Sequence, residues 1–357
     1  MMKRSGENIN IHNGGPLVSV VMPNYNTPED FLRRAIDSIL GQTYDNIELI
    51  IIDDASTGDD VGVIRSYSDR RIVLLRNDVN RHVAFTLNRG LEIAQGKYIA
   101  RMDSDDICLP RRIEEQVAFM QRRSDIDILC AQARFFGERN GVFAPHLTNA
   151  ERMRTELFFN CAIAHPTVMF RADFVRRYNL RYQDDIEFRA AEDYELWTRC
   201  ASLGRLCEYP HVLLNYRVHG GQVSAAANSR QQAGTWLVRA GLLIQLRIVP
   251  DEHEAMVHDH LCNGSADGNI PPKETESWAR RLLDANDQFR VYPQRLFARA
   301  VIRRCLVVMV KSMLNDRVTP GQLLKLPLMK RALNPVLLPD YLAYFLFSRR
   351  LNRVSKQ

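Results

Sequence analysis

Three carboxylates fall within four residues at Asp103-Ser104-Asp105-Asp106, directly after an apolar run from Tyr98 to Met102 that reads as a buried strand. Like charges packed at one strand end repel each other unless a cation or a polar ligand compensates them. Oxygen-only donors favour Mg2+ or Mn2+ over Zn2+, and these ions keep positions open for water or substrate phosphates. A nucleotide diphosphate would fill them. The competing reading is an Asp-rich turn capping a helix that starts near Pro110, because Asp and Ser make caps and tight turns without metal.

The elements that must position this turn follow an alternation of β-rich and helical patterns, which predicts an α/β sheet layer. Leu17–Met22 reads as a first strand ended by Pro23-Asn24-Tyr25-Asn26, Phe31–Leu40 as an amphipathic helix, and Ile47–Ile52 as a strand covered on both faces. Ile72–Leu75, Ala84–Ala94 and Tyr98–Met102 continue the pattern. Open sheets of this kind bind ligands beyond the carboxyl ends of their strands, where Tyr25, Asp53/Asp54 and Asp103/Asp105 all fall. Further on, a helix is predicted over Arg111–Arg122, strands over Ile128–Ala133 and Val212–Tyr216, and a helix from Glu192 to Ser202. Arg217 and His219 precede Gly220-Gly221, a composition suited either to a loop closing over a diphosphate or to a surface turn. Asp53-Asp54 reads by itself as a strand-ending Asx turn with Ser56, and Glu192-Asp193 as first-turn acids facing a helix dipole.

The 357 residues are 46% hydrophobic and 25% charged, ordinary values for a globular chain of two domains or one domain with an appendage. Seven cysteines without a CxxC pair argue against a disulfide framework or a zinc ribbon and for a reducing cytoplasm. Residues 1–15 hold no apolar signal-peptide core. His253, His258 and His260 miss the spacing that places two zinc ligands on one helix face, and Cys200 and Cys207 read as packing. The net charge of +6 is unevenly placed: residues 290–357 hold fourteen Lys/Arg against Asp316 and Asp340, leaving the rest acidic. That asymmetry points to an anionic surface met by the C-terminus and says little for nucleic acid.

The chain resembles the inverting family 2 glycosyltransferases of the GT-A fold. The match is carried by Val18-Ser19-Val20-Val21-Met22-Pro23-Asn24-Tyr25-Asn26, Ser38-Ile39-Leu40-Gly41-Gln42-Thr43-Tyr44 and Glu48-Leu49-Ile50-Ile51-Ile52-Asp53-Asp54-Ala55-Ser56-Thr57. It continues through Asn88-Arg89-Gly90, Ala94-Gln95-Gly96-Lys97-Tyr98, the acidic turn with Pro110, His165-Pro166-Thr167, Glu192-Asp193 and Arg217-Val218-His219 with Ser224 behind. The resemblance implies a Rossmann-like nucleotide-sugar-binding sheet over residues 17–230, with a nucleotide half (17–107) and an acceptor half (108–230), after a flexible N-terminus (1–16) and before a basic helical region (231–357). It implies that Pro23, Tyr25, Asp54, Asp103, Ser104 and Arg217 contact a UDP-sugar, and that Asp105, Asp103 and His219 hold Mn2+ or Mg2+. Asp193 would be the general base, with Glu192 and His165 on the acceptor side, His165 being equally suited to the core. The implied reaction moves a hexose to a glycan or lipid-linked glycan of a bacterial surface polysaccharide. Two departures stand out: Arg81-His82-Val83 follows Asn80 where the family often has Gly, and Gly58-Asp59-Asp60 replaces a commoner Thr-Asp pattern.

Rival readings are a sugar-phosphate nucleotidyltransferase, which lacks its Gly-rich phosphate loop here, and a non-catalytic membrane adaptor. In the C-terminal third, Ala298–Lys311 is too short to span a bilayer and is broken by Arg303/Arg304. Val336–Phe347 followed by Arg349-Arg350 has the aromatic and cationic makeup of an interfacial helix. The expectation is a cytoplasmic protein peripheral on the inner leaflet. Packing on the catalytic core, or a homo-oligomer interface, stands as the alternative.

Overall fold

A computed structural model describes residues 14–221, 228–264 and 270–314, with Pro327 isolated beyond them. Ser224, the 336–350 segment and most of the N-terminal arm lie outside the described residues. The strands are β1 (Val18–Asn24), β2 (Ile47–Asp53), β3 (Ile72–Arg76), β4 (Tyr98–Arg101), β5 (Ile107–Cys108), β6 (Ile128–Gly137), β7 (Gly141–Phe143), β8 (Met169–Arg171) and β9 (Leu206–Val218). They form one mixed sheet in the order β3-β2-β1-β4-β8-β6-β9-β5, with β7 hairpinned onto β6. β3, β2, β1 and β4 run parallel, and β8 is antiparallel to both β4 and β6.

Period-two alternation sorts the core. Val18, Val20 and Met22 of β1, Leu49 and Ile51 of β2, and Tyr98 and Ala100 of β4 join one apolar cluster, while Val21, Ile50, Ile52 and Ile99 join the other. The first cluster is closed by α1 (Glu29–Leu40), through Leu32, Ala35, Ile36 and Ile39, with the short α2 (Asp60–Arg65) beside it. On the other face lies α3 (His82–Ile93), whose Gly90 lies so close to β1 that a Cβ there would meet Val21 Cγ1 at 2.3 Å. Then come α4 (Arg112–Arg122) on the first face, and α5 (Ala150–Leu157), α6 (Ala172–Arg177) and α7 (Glu192–Leu203) on the second.

Some boundaries differ from the sequence reading. β1 continues through Pro23 to Asn24, because its pairing with β4 has already ended at Val21–Arg101 and no β4 partner calls on the missing proline N–H. β9 is much longer than Val212–Tyr216: it starts at Leu206, crosses Pro210 and pairs with β6 through register shifts near Gln132. α2, only 6 residues long, carries no periodic signal of its own and was not foreseen.

The C-terminal helices α8 (Asn228–Gln245), α9 (Glu252–Asn263), α10 (Pro272–Phe289) and α11 (Gln294–Leu314) pack on the sheet layer in its second apolar cluster. Phe158 and Phe159, just after α5, meet Phe297 of α11 and, for Phe158, Tyr292 in edge-on and stacked contacts. Arg303 and Arg304, which interrupt the apolar pattern of α11, turn inward to the buried Glu156 carboxylate, at 2.5 and 3.2 Å. Burial opposes ionisation of Glu156, but the two guanidinium groups hold its carboxyl below the usual range. Glu156→Ala is therefore expected to cost about 3 kcal/mol of stability, since it removes the shared acceptor of two half-buried cations; urea denaturation reads it. Among the described residues no helix is long and apolar enough to cross a membrane.

Candidate active site

The parallel register sets Asn24 beside Asp53 at the carboxyl ends of β1 and β2. Asn24 Nδ2 donates to Asp53 Oδ1 and Asp60 Oδ1, both at 3.0 Å, and Asp53 Oδ2 accepts from the Ser56 N–H at 3.2 Å and lies 3.3 Å from Arg76 Nε. Asp53 thus makes the Asx turn. Asp54 differs: its Oδ1 accepts from Asn77 Nδ2 (2.5 Å) and the Arg81 N–H (2.9 Å), and no described donor takes Oδ2. Of the pair, Asp53 alone is committed to the turn. Tyr25, at 47% exposure, and the partly buried Pro23 lie on the same rim. Next to Arg81, whose N–H reaches Asp54, His82 keeps a left-handed backbone (φ 65°), a conformation that costs a non-glycine residue about 1 kcal/mol.

The acidic turn follows β4. Carboxylate oxygens of Asp103, Asp105 and Asp106 lie within 4.8 Å of one another. α4 begins at Arg112, and no side chain caps it. The capping alternative is thereby excluded. Asp106 is fully buried: its Oδ1 accepts from the Arg217 N–H at 2.8 Å, and its Oδ2 has no partner among the described residues. Burial first, and then mutual repulsion, push Asp103 up and Asp106 far up from the ordinary carboxylate range. Arg101 Nη1 pairs with Asp103 Oδ2. Asp105 Oδ2 lies 3.1 Å from His219 Nε2, and its carbonyl accepts from Arg217 Nε at 2.8 Å, so the end of β9 is latched to the turn. Phe31 lies under both latch residues: the Arg217 guanidinium stands 3.8 Å over its ring, and the His219 ring is 5.4 Å away. Ser104 turns its hydroxyl to Thr27 Oγ1 (2.7 Å), tying the turn to the loop after β1. Carboxylates with one imidazole, an orphaned buried oxygen and raised proton affinities fit a hard divalent cation of the Mn2+ or Mg2+ type.

Asp193 stands in the first turn of α7, half-buried, its Oδ1 accepting from the Tyr194 N–H at 2.6 Å and its Oδ2 3.8 Å from Cys161 Sγ. Burial raises its proton affinity, offset by the Tyr194 amide and by the charge of Arg101. In turn Asp193 is among the charges that raise Asp103, so base candidate and acidic turn share one electrostatic field. Glu192 is buried with Oε2 unpartnered among the described residues, and desolvation plus the Asp193 charge lift it to about 7. His165 lies against Trp197 and bonds Tyr182 Oη at 2.8 Å, and burial and Arg101 keep it neutral. His258 is enclosed by Cys262 and Trp278, and His253 faces Glu274. The sequence marks Arg101 only as an arginine closing a buried strand, and nothing in it marks Cys161.

The raised Glu192 has a stability consequence. The folded state holds its proton between about 4.5 and 7 whereas the unfolded state releases it, so stability present at low pH is lost as pH rises through that window. Glu192→Gln is expected to raise Tm over wild type at pH 8, by the equivalent of roughly 3 kcal/mol. Thermal melts should show the gap closing at pH 4.5.

The pattern of the family described as "Glycosyl transferase family 2" matches residues 19–180. A Haemophilus influenzae protein named an uncharacterized glycosyltransferase is 34% identical over 229 residues, covering 60% of this chain and 70% of that one. The Escherichia coli UDP-Glc:alpha-D-GlcNAc-diphosphoundecaprenol beta-1,3-glucosyltransferase WfaP is 33% identical, covering 58% and 80%. Staphylococcus aureus TarS 1-349, solved in complex with UDP-GlcNAc, superposes with a TM-score of 0.54 at 17% identity, over 84% of this chain and 89% of TarS 1-349. The chain belongs to glycosyl transferase family 2, and its architecture is the GT-A fold with a C-terminal helical region. It is a glycosyltransferase, which sets aside the nucleotidyltransferase and adaptor readings.

Proposed function

We propose that the protein moves a hexose, with inversion, from a UDP-sugar to a glycan or lipid-linked glycan in cell-surface polysaccharide assembly. The observation that carries this reading is that Asp103 pairs with the buried Arg101 while Asp193 feels the charge of the same arginine and adds its own to the field at Asp103, so a candidate base and a diphosphate-type acidic turn are electrostatically linked. The names of WfaP and of the TarS complex support the donor class.

In this reading Tyr25 stacks on the uracil, Pro23 lines its pocket, and Asp54 accepts the base N3–H through the oxygen that Asn77 and Arg81 leave open. Asp105, Asp103 and His219 hold Mn2+ or Mg2+, with Ser104 keeping the turn in place. Bound there, the cation supplies charge neutralisation to the departing diphosphate. Arg217 neutralises phosphate from the other side. Asp193 Oδ2 takes the acceptor hydroxyl proton as that oxygen attacks the anomeric carbon, and a single displacement inverts it. Glu192, lifted to about 7, holds its proton more firmly than an ordinary carboxyl, which leaves the base role to Asp193. Glu192 and His165 belong to the acceptor side, His165 through Tyr182.

The working division is a GT-A domain over 17–230 and a basic helical region over 231–357, placed in the cytoplasm against the anionic inner leaflet. UDP release from a panel of UDP-sugars, with Mn2+ and with chelator, tests the reading: release confined to UDP-sugars and to the metal-loaded protein is expected, and release from GDP-sugars alone contradicts it.

A further inference from the structure

Arg101 is unusual in its surroundings. It closes β4 at 5% exposure, and its backbone is pinned on both sides: its N–H donates to Val168 O at 2.9 Å, and its carbonyl accepts from Arg112 Nη2 at 2.7 Å. The side chain is held far less. Its five donors make one ion pair, Nη1 to Asp103 Oδ2, while the buried Nε has no partner among the described residues. The charges of Asp103 and Asp106 act on it, and the carboxylates of Asp103, Asp105 and Asp106 crowd within 4.8 Å of one another, a repulsion that a nearby cation relieves.

We propose that Arg101 is the resident counter-cation of the acidic turn: its guanidinium holds Asp103 oriented, and a divalent cation must take that carboxylate over from it in order to bind. Arg101 is thus a positioning residue that acts through Asp103. The guanidinium neutralises one charge of the turn, so the cation is bound less tightly than a bare triad would bind it. A weak grip suits a site that must release a metal–diphosphate product after each turnover. The inference rests on the reading of Asp103 and Asp105 as cation ligands.

Calorimetric titration of the donor-free protein with Mn2+ separates the two. Arg101→Met keeps the apolar stem and removes the charge; the expected result is Mn2+ binding about tenfold tighter than wild type. A residue needed only for packing would weaken binding when replaced. Arg101→Lys keeps the charge on a shorter reach and decides the matter if the first variant does not fold, with affinity expected a few-fold tighter than wild type. Equal or weaker binding in these variants, with wild type binding normally, overturns the role of Arg101 alone. Absence of Mn2+ binding by wild type overturns it together with the metal reading.

Discussion

Asp193→Asn is expected to lower kcat about a thousandfold while leaving the affinity for UDP near wild type and the folded stability no lower than wild type. The geometry makes this a clean exchange. Asn keeps the oxygen that accepts from the Tyr194 N–H and retains a polar atom near Cys161, so the first turn of α7 has no reason to move. What disappears is the charge that can receive a proton. Removing a positioned general base costs between about 10² and 10⁴ in rate, and Asp193 is the acid outside the turn whose charge is among those that raise Asp103. Glu192 is the nearest substitute, but at about 7 it is half protonated where Asp193 should be working. Steady-state UDP release, with UDP binding measured in parallel, reads both halves of the expectation. Equal turnover by the two proteins would remove Asp193 from the chemistry.

Asp105→Asn is expected to abolish Mn2+-dependent thermal stabilisation and to reduce turnover by roughly a thousandfold, the equivalent of several kcal/mol of lost charge compensation on the diphosphate. Asp105 is the least encumbered acid of the turn. Asp106 is buried and committed to the Arg217 N–H, and Asp103 is paired with Arg101, whereas the Asp105 carboxylate meets only the His219 imidazole among the described residues. Its backbone is fixed through the carbonyl bond from Arg217 Nε, so the amide should sit where the carboxylate did. Thermal shift with and without Mn2+ distinguishes this from a folding defect, because the metal-free Tm should stay near that of wild type.

The strands were legible because both faces of the sheet are covered: Ile47–Ile52 is apolar at every position except Glu48, and its alternate residues feed two separate cores. The acidic turn was legible as a cluster, because three carboxylates in four residues at a strand end stand out by type alone; that they converge within 4.8 Å and cap no helix came from the fold. Partner choice was not legible. Asp53 and Asp54 are adjacent and chemically identical, and only the register that sets Asn24 beside Asp53 makes one a turn former and leaves the other an open oxygen. Arg303 and Arg304 read as interruptions of an apolar helix until Glu156, far away in sequence, came to lie beneath them. Arg101 was in plain view, but its burial depends on Val168 and Arg112 closing around β4.

A crystal structure with Mn2+ and UDP bound tests the central claim most directly. The anomalous signal of Mn2+ is expected on the Asp105 carboxylate with Asp103 beside it, the uracil against Tyr25 and Asp54, and the β-phosphate facing Asp193 across a space the size of one hexose. Metal bound elsewhere, or Asp193 shut off from the β-phosphate by protein, would contradict the account.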